Sequence, residues 1–492
     1  MKYSVGIDIG TSACKTVIID TLGDIVASAS KEYFAREEDG NAFQNPNDWF
    51  NAVIETINHA CKNGGIDPKD ICAVGCTGQA QSSTFLDREG NSLGESLLWF
   101  GSTAVEKTEA VAKKFAGKFE DHCHMGLATT RTLSKLFWIL ENDPGRWEKT
   151  DKVLFTSAYI VYRLTGEIIA DSSNITLSSL NDVATNQWCD ELVEQFIQDK
   201  EKLPSPVIGS EQIAGKTTEK IARLTGIPKG TPVIAGCADV TAECYALNLC
   251  GKSQLKLRLG SCGAANAVFD GSSFVDDRKI CSPYLSDKGK FLGRYTMACA
   301  RSVKYARDTF FSELEKNDHA YEIMDSEAVQ SPRGAKGLLF HPFLNGEDHP
   351  YHDPLLKAKL VGMDTTQNRG DIVRAVYEGV SFSLRDMIES EPYFDDLHQI
   401  LFVGGGTLSK VWLPLLADVL GRPGVVPVYG DASFGVGLMA GDAVGILDGC
   451  AAAERSKAMG KQVDYDPSAH EFYNERFEKY KKLALIEKGI LW

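Results

Sequence analysis

A strand, a tight turn of small polar residues and a second strand open this chain, and the same arrangement returns about half a chain later. No other feature restricts the possible folds as much. Val5, Ile7 and Ile9 alternate, Gly10-Thr11-Ser12 supplies the turn, and Thr16 to Asp20 is β-rich again. In mid-chain, Leu257-Arg258-Leu259 leads through Gly260-Ser261-Cys262-Gly263 into Ala267-Val268-Phe269-Asp270. The letters differ but the order matches, which predicts a duplicated architecture. At 492 residues the chain has length for two lobes with a core each, expected as 1–249 and 250–492.

Buried strands are predicted at Ile71 to Gly75, Thr231 to Cys237 and Ile400 to Val403, each running into Gly or Thr. Helices are predicted where apolar residues recur at helical spacing, as in Val373, Val376, Tyr377 and Val380, and in Trp412, Leu415, Leu416 and Val419. Strands alternating with helices give an α/β class.

The 52 Lys and Arg against 67 Asp and Glu leave a formal net charge of −15, which argues against binding nucleic acid or an anionic membrane surface. No stretch approaches the ~20 apolar residues of a membrane span. Asp8 stands where a signal peptide needs its apolar centre. Thirteen cysteines, an odd number without a C-x-x-C pair, fit a reducing compartment, so the cytoplasm is expected. His122-Cys123-His124 invites a metal reading, but adjacent residues diverge in direction, and a half-exposed turn accounts for them.

Three turns carry chemistry that suits phosphate. Asp8-Ile9-Gly10-Thr11-Ser12 combines a carboxylate able to face Mg²⁺ with N–H and O–H donors, and Lys15 adds a point charge just beyond; an ordinary hairpin uses the same residue types. Gly260-Ser261-Cys262-Gly263 keeps the donors without the acid. In Gly404-Gly405-Gly406-Thr407-Leu408-Ser409 a strand opens through three glycines toward the helix of Trp412, which would bring backbone close to a ligand. Neither the dinucleotide fingerprint nor the P-loop pattern is present. Asp239 ends the Thr231–Cys237 segment ahead of a helix expected near Thr241, where it is either a helix cap or a functional acid.

Taken together in this order, these segments resemble the FGGY family of carbohydrate kinases, most of all its xylulose kinases. Gly6-Ile7-Asp8-Ile9-Gly10-Thr11-Ser12 with Lys15 is similar to the family's opening phosphate loop, and Pro232 to Gly236 with Asp239 to its catalytic-base segment. Leu259 to Gly263 resembles the second phosphate loop, and Phe343-Leu344-Asn345-Gly346-Glu347 the signature loop. Gly404-Gly405-Gly406 with Ser409 resembles the adenosine-binding segment, and Phe434-Gly435-Val436-Gly437 the small-residue stretch after it. Arg163 to Glu167 and Asp171-Ser172-Ser173 agree as well.

The resemblance implies two actin-like (ribonuclease H-like) domains with a cleft between them, the sugar site and base in the N-terminal one and the adenosine site in the C-terminal one. It implies ATP and Mg²⁺ as cofactors, Asp8 and Asp239 toward the metal, and Asp239 as the base for the sugar hydroxyl. Thr11, Ser12, Lys15, Gly260, Ser261, Gly404, Gly405, Gly406 and Ser409 fall to ATP, and Gln79, Ala80, Gln81 and Trp99 to the sugar. The implied substrate is a ketose such as xylulose, with another pentulose, a tetrulose or a polyol as alternatives. A homodimer is compatible with the sequence. A catalytically silent binding protein of the same fold and an actin-like ATPase are the competing classes.

The departures gather on the sugar side. Ala80 and Gln81 stand where xylulose kinases carry a Met-His pair, Phe100, Gly101 and Ser102 replace polar residues after Trp99, and Ser157-Ala158 replaces a Lys-Asp pair before Tyr159. They predict that D-xylulose is not the optimal acceptor.

Overall fold

Val5, Ile7 and Ile9 are fully buried, and the strand they define, β1 (Tyr3–Ile9), turns at Gly10 into the antiparallel β2 (Ala13–Ile19) with Ile7 opposite Thr16. In the computed structural model, which describes residues 1–101, 104–249, 253–269, 282–283, 290–353 and 355–486, the chain divides into two compact units. Unit 1 holds Met1–Asn248, Val268–Leu292 and Tyr429–Arg455; unit 2 holds Leu249–Ala267, Gly293–Val428 and Ser456–Trp492.

In unit 1, β2 continues into the antiparallel β3 (Ile25–Glu32), while on its other side β1 pairs in parallel with β4 (Ile71–Gly78). Beyond β4 come β5 (Ile213–Lys216) and β6 (Pro232–Ile234), in the order β5-β6-β4-β1-β2-β3. The segment expected as one strand from Thr231 to Cys237 is broken: β6 stops at Ile234, and a two-residue β7 (Cys237–Ala238) resumes alongside β4. Gly236 makes the break, with φ of 74° and a position where a Cβ would stand 1.8 Å from the Cys76 carbonyl oxygen.

Helix α1 (Pro46–Gly64) covers the sheet with Trp49, Phe50, Val53, Ile57 and Ala60, residues at helical spacing that are all buried. A second core of unit 1 is built under the helix Thr132–Asn142, where Leu133, Leu136, Phe137 and Ile139 pack with Phe85, Leu97 and Phe119. Helix α2 (Asp239–Ala246) starts directly after β7, two residues earlier than expected.

Unit 2 repeats the pairing. β8 (Gln254–Leu259) pairs antiparallel with β9 (Gly263–Phe269), Leu259 opposite Gly263, and in parallel with β10 (Gln399–Val403). β10 pairs in parallel with β11 (Gly424–Val426), and β11 antiparallel with β12 (Lys461–Val463). Antiparallel, parallel, parallel, antiparallel is also the sequence across β2, β1, β4, β6 and β5, so the duplicated ribonuclease H-like architecture holds at the level of strand register. Helix α3 (Arg369–Glu389) buries Val373, Val376, Tyr377 and Val380, and the Tyr377 ring stacks on Trp412 of α4 (Trp412–Leu420) at 5.7 Å.

The chain then returns to unit 1. Helix α5 (Ala432–Ala443) lies against β1 and β4 at backbone distance, because small residues face small residues: a Cβ on Gly6 would stand 1.9 Å from the Ser433 carbonyl, and one on Gly435 1.8 Å from that of Ala242. The stretch Phe434-Gly435-Val436-Gly437, which the resemblance attaches to the adenosine segment, therefore packs within unit 1. Among the described residues no helix is long and apolar enough to cross a membrane. The eleven described cysteines are free thiols.

Candidate active site

Strand register places the two acids on either side of one central strand. Asp8 on β1 is opposite Thr77 on β4, and Thr77 is in turn opposite Cys237 on β7, two residues before Asp239. The Thr77 hydroxyl donates to the Cys237 carbonyl at 2.8 Å, tying β7 to the central strand. Burial pushes the Cys237 thiol well up, and Asp171, Asp239 and Asp8 add to it, so all three acids act on one buried point. Asp8 is half-buried near the C-terminal end of β1 and Asp239 is half-buried directly after β7, the two strands that flank β4 in parallel, and ligands of such sheets bind at these ends. Asp239 is not the helix cap: the N-cap is Ala238, and the Asp239 carboxylate accepts the Val240 N–H at 2.9 Å.

The β1–β2 turn directs its carbonyls inward. Gly10 O accepts from the Tyr33 hydroxyl at 2.7 Å, Thr11 O from Gln44 Nε2 at 2.7 Å, and Ser12 O from the Tyr33 N–H at 3.0 Å. In a trans peptide the following N–H points the opposite way, so the amides after these carbonyls are turned away from Tyr33 and Gln44, as an oxyanion requires, while the Gly10 N–H donates to the Ala13 carbonyl at 3.0 Å. Gln44 is buried and also accepts from Trp49 Nε1 and Gln79 Nε2, each at 2.9 Å. Trp99 Nε1 donates to Thr11 Oγ1 at 3.0 Å. Thr11, Gln79 and Trp99, assigned from sequence to two different ligands, thus belong to one hydrogen-bonded network. Lys15 sits opposite Asp8 in the ladder, but its ammonium pairs with Asp431 at 2.7 Å.

In unit 2 the β8–β9 turn follows the same rule. Gly260 O accepts the Ala300 N–H at 2.8 Å, and Ser261 O accepts those of Cys299 and Arg301 at 2.9 and 3.2 Å. Of the three glycines after β10, two are fixed by close packing. A Cβ on Gly404, which has φ of 93°, would meet the Leu259 carbonyl at 2.8 Å, and one on Gly406 would meet Leu259 and Trp412 at 2.7 Å. Gly405 faces open space, with nothing within 4 Å. A short 3-10 turn, Gly405–Leu408, separates the glycines from α4. Ser409 Oγ donates to the Asp325 carboxylate at 2.8 Å and accepts the Trp412 N–H at 2.9 Å, so this hydroxyl holds the start of α4. In the signature loop Glu347 is buried, accepting from the N–H groups of Met297 and Asp348; burial pushes its carboxyl up to about 8.

On the sugar side, Gln79 is buried with its Oε1 unpartnered, a group that calls for a donor. Ala80 is half-buried and follows it directly, and Gln81 takes φ of 65°, unusual for a residue with a side chain. Ser157 and Ala158 are buried at the start of the helix Thr156–Thr165, where the Ser157 hydroxyl accepts from Asn174 at 3.1 Å.

Sequence reasoning missed several participants. Asp171, fully buried with its carboxyl pushed up by burial, accepts from Ser173 Oγ at 2.7 Å, and Ser173 Oγ accepts the Ala238 N–H at 2.9 Å. This relay fixes the residue before Asp239. Gln44 and Tyr33 show no local signal. Lys135, a fully buried charge within the apolar run Leu133 to Phe137, could have been found by asking why a lysine stands there.

Comparisons with known proteins bear on the family and the fold. Residues 3–244 match the family model for the N-terminal domain of the FGGY family of carbohydrate kinases, and residues 274–444 that for its C-terminal domain. A xylulose kinase of Bacillus subtilis (strain 168) is 28% identical over 85% of this chain and 83% of its own. Crystal structures of a ligand-bound xylulose kinase and of a gluconate kinase, both from Lactobacillus acidophilus, superpose with TM-scores of 0.89 and 0.88 at 24% identity. The first covers 99% of both chains, the second 98% of this chain and 97% of its own.

Proposed function

The chain belongs to the FGGY family of carbohydrate kinases, enzymes that phosphorylate sugars with ATP, and we propose that here Asp239 is the general base that accepts the proton of the attacking hydroxyl. One observation carries this reading: the register Asp8–Thr77–Cys237 puts Asp8 and Asp239 at the same end of the sheet, on either side of β4, and the turn after Asp8 has its Gly10, Thr11 and Ser12 carbonyls taken by Tyr33 and Gln44. Phosphoryl transfer rests on positioning and charge stabilisation, so a base held at a strand end and outward amides supply what the protein must contribute. In this reading the N-terminal domain, 1–249, carries the sugar and the base, and the C-terminal domain, 250–492, carries the adenosine.

Two carboxylates at one end of the sheet are hard oxygen donors and fit Mg²⁺, so Asp8 and Asp239 are the residues that would hold it; its contribution would be to neutralise charge on the phosphates. Thr11, Ser12, Gly260 and Ser261 donate toward phosphate, and Gly405 gives the adenosine room to approach. Gln79, Ala80, Gln81 and Trp99 line the acceptor. Xylulose kinase is the activity of the Bacillus subtilis relative; the changes at Ala80 and Gln81 support an open-chain acceptor other than D-xylulose. Free thiols support a cytoplasmic enzyme, and a homodimer is compatible with all of this.

Sugar-dependent ADP release over a panel of ketoses, polyols and sugar acids tests the reading. A kinase releases ADP only with an acceptor. Binding without turnover would identify a silent relative, and ADP release independent of sugar an ATPase.

A further inference from the structure

Asp348, His349 and His352 bring a carboxylate and two imidazoles to one point of unit 2, with ligand atoms that all lie within 4.8 Å of one another. Among the described residues no other three His, Cys, Asp or Glu side chains meet this closely. Both rings turn Nδ1 to the same carboxylate: His352 Nδ1 stands 3.0 Å from Asp348 Oδ1, and His349 Nδ1 3.3 Å from Asp348 Oδ2. The rings themselves meet edge to face at 4.6 Å. Two donors bound to one ion at about 2.0–2.1 Å stand roughly 3.0–3.4 Å apart at octahedral or tetrahedral angles. The nitrogen–oxygen separations are therefore already those of a coordination shell.

The turn that carries these side chains is fixed by its own bonds. Glu347 and Asp353 exchange two backbone hydrogen bonds, both at 2.9 Å, and close residues 348–352 into a loop. Between the histidines Tyr351 anchors it: its hydroxyl donates to Asp386 at 2.6 Å, and its ring meets that of Phe343 at 5.6 Å. The His349 N–H donates to the Tyr295 carbonyl at 3.1 Å, and its Nδ1 lies 3.3 Å from both polar atoms of the Tyr295 backbone. His352 takes φ of 47°, a conformation that glycine adopts at less cost, so what a histidine adds to this turn is its imidazole. Ligands held in place in this way lose little freedom when an ion arrives. The side chain of His349 is 17% exposed, that of Asp348 40% and that of His352 63%, which leaves the group open from the His352 side.

We propose that Asp348, His349 and His352 form a binding site for a late first-row divalent cation, Zn²⁺ above all. Imidazole nitrogens suit Zn²⁺, Co²⁺ and Ni²⁺, whereas Mg²⁺ and Ca²⁺ take oxygen ligands. Three protein ligands leave a further position to water. The proton that each neutral imidazole turns toward the carboxylate passes through solvent to its other ring nitrogen, so the ring stays neutral while its Nδ1 lone pair takes the ion. The root of the turn reaches the β8–β9 hairpin of the same unit: the Glu347 carboxylate accepts the Met297 N–H at 3.0 Å, and the Met297 carbonyl accepts from Cys262 Sγ at 3.4 Å. The site goes beyond the sugar-kinase reading, since Asp8 and Asp239 belong to unit 1 and metal uptake here needs no phosphoryl transfer.

The whole chain, freed of metal with a chelator and titrated calorimetrically with Zn²⁺ in excess Mg²⁺, tests this. The wild type should saturate at one Zn²⁺ per chain. His352→Gln and Asp348→Asn should each weaken that binding by about 100-fold, since loss of even an outer-shell partner costs about 10–100-fold. His352 is exposed, so its replacement leaves folding intact and reads the lost ligand alone. His319→Gln removes another exposed imidazole beside a carboxylate, that of Glu322, and should change nothing. With Co²⁺ in place of Zn²⁺, visible absorption bands should appear with the wild type and be lost in His352→Gln. No saturable uptake by the wild type, or uptake that either His352→Gln or Asp348→Asn leaves unchanged, overturns the proposal. ADP release plays no part in this readout, so its outcome and that of the sugar panel are independent.

Discussion

Lys15 and Asp431, 416 positions apart in the sequence, form an ion pair at 2.7 Å within one unit. The Asp431 carboxylate also caps α5, accepting the Phe434 N–H at 3.1 Å and the Ser433 hydroxyl. Burial pushes this carboxyl up, but the Lys15 charge and these hydrogen bonds outweigh it and leave the group below its ordinary value. The pair fastens the helix that lies on β1 to the strand next to it.

Asp431→Ala should therefore cost about 1–2 kcal/mol, mostly the lost cap, and Asp431→Asn, which still caps, only about 0–1 kcal/mol because the pair is half-exposed. Urea denaturation measures both. Lys15→Met should likewise cost about 0–1 kcal/mol. A rise in KM for ATP in that variant beyond this small stability change would identify Lys15 as a phosphate contact.

That pair also shows where reading the sequence stops. The hairpins at Gly10–Ser12 and Gly260–Cys262, the strand end at Val403 and the stripes of α3 and α4 were legible because each is local: alternation, helical spacing and turn residues report on their own segment, although the strand expected over Ile71–Gly75 runs on to Gly78. Asp8 and Asp239 were legible as candidates for the same reason. Their partners were not. Gln44 reaches Thr11 and Gln79 across 33 and 35 positions, and Ser173 reaches Ala238 across 65, contacts set by the sheet and not by neighbouring residues. Ser409 was assigned to ATP on its position after three glycines, and its bond to Asp325 lies 84 residues away.

On the proposal that Asp239 is the base, the Asp171–Ser173–Ala238 relay holds the residue before it, so Ser173→Ala should reduce kcat more than KM. Removing the hydroxyl leaves the Ala238 N–H buried without its acceptor, worth ~1–3 kcal/mol of stability. Asp171→Asn should act in the same direction. A variant that loses stability but keeps wild-type kcat would show that the relay is structural only.

Gly405 and Gly406 should respond oppositely to alanine. Gly406→Ala forces a Cβ into Leu259 and Trp412 at 2.7 Å and should destabilise by ~1–3 kcal/mol. Gly405→Ala meets nothing within 4 Å and should leave stability near wild type while raising KM for ATP. Thermal melts with nucleotide titrations separate the two; unchanged ATP affinity in Gly405→Ala would remove this glycine from the adenosine site.

His341 gives unit 2 a defined acid sensitivity. It is fully buried and stacked on Tyr480, its Nε2–H donates to the Tyr480 carbonyl at 3.0 Å, and its Nδ1 has no partner. Burial pulls it from an ordinary 6.5 to about 4. Between these values the unfolded chain binds a proton that the folded chain refuses, so the contribution is fully present above 6.5 and lost as pH falls toward 4. His341→Gln should flatten the pH dependence of unfolding free energy over that interval. Equal slopes in wild type and variant would assign the acid lability elsewhere.

The central claim is that Asp239 takes the proton of the attacking hydroxyl, and the most direct measurement is sugar-dependent ADP release by Asp239→Asn beside the wild type. Asparagine keeps the size and hydrogen-bonding reach of the side chain, so folding and ATP affinity should barely move. Turnover should fall by about 100-fold or more, the scale of a lost general base. Retention of wild-type turnover in a variant that binds both ligands would contradict the account.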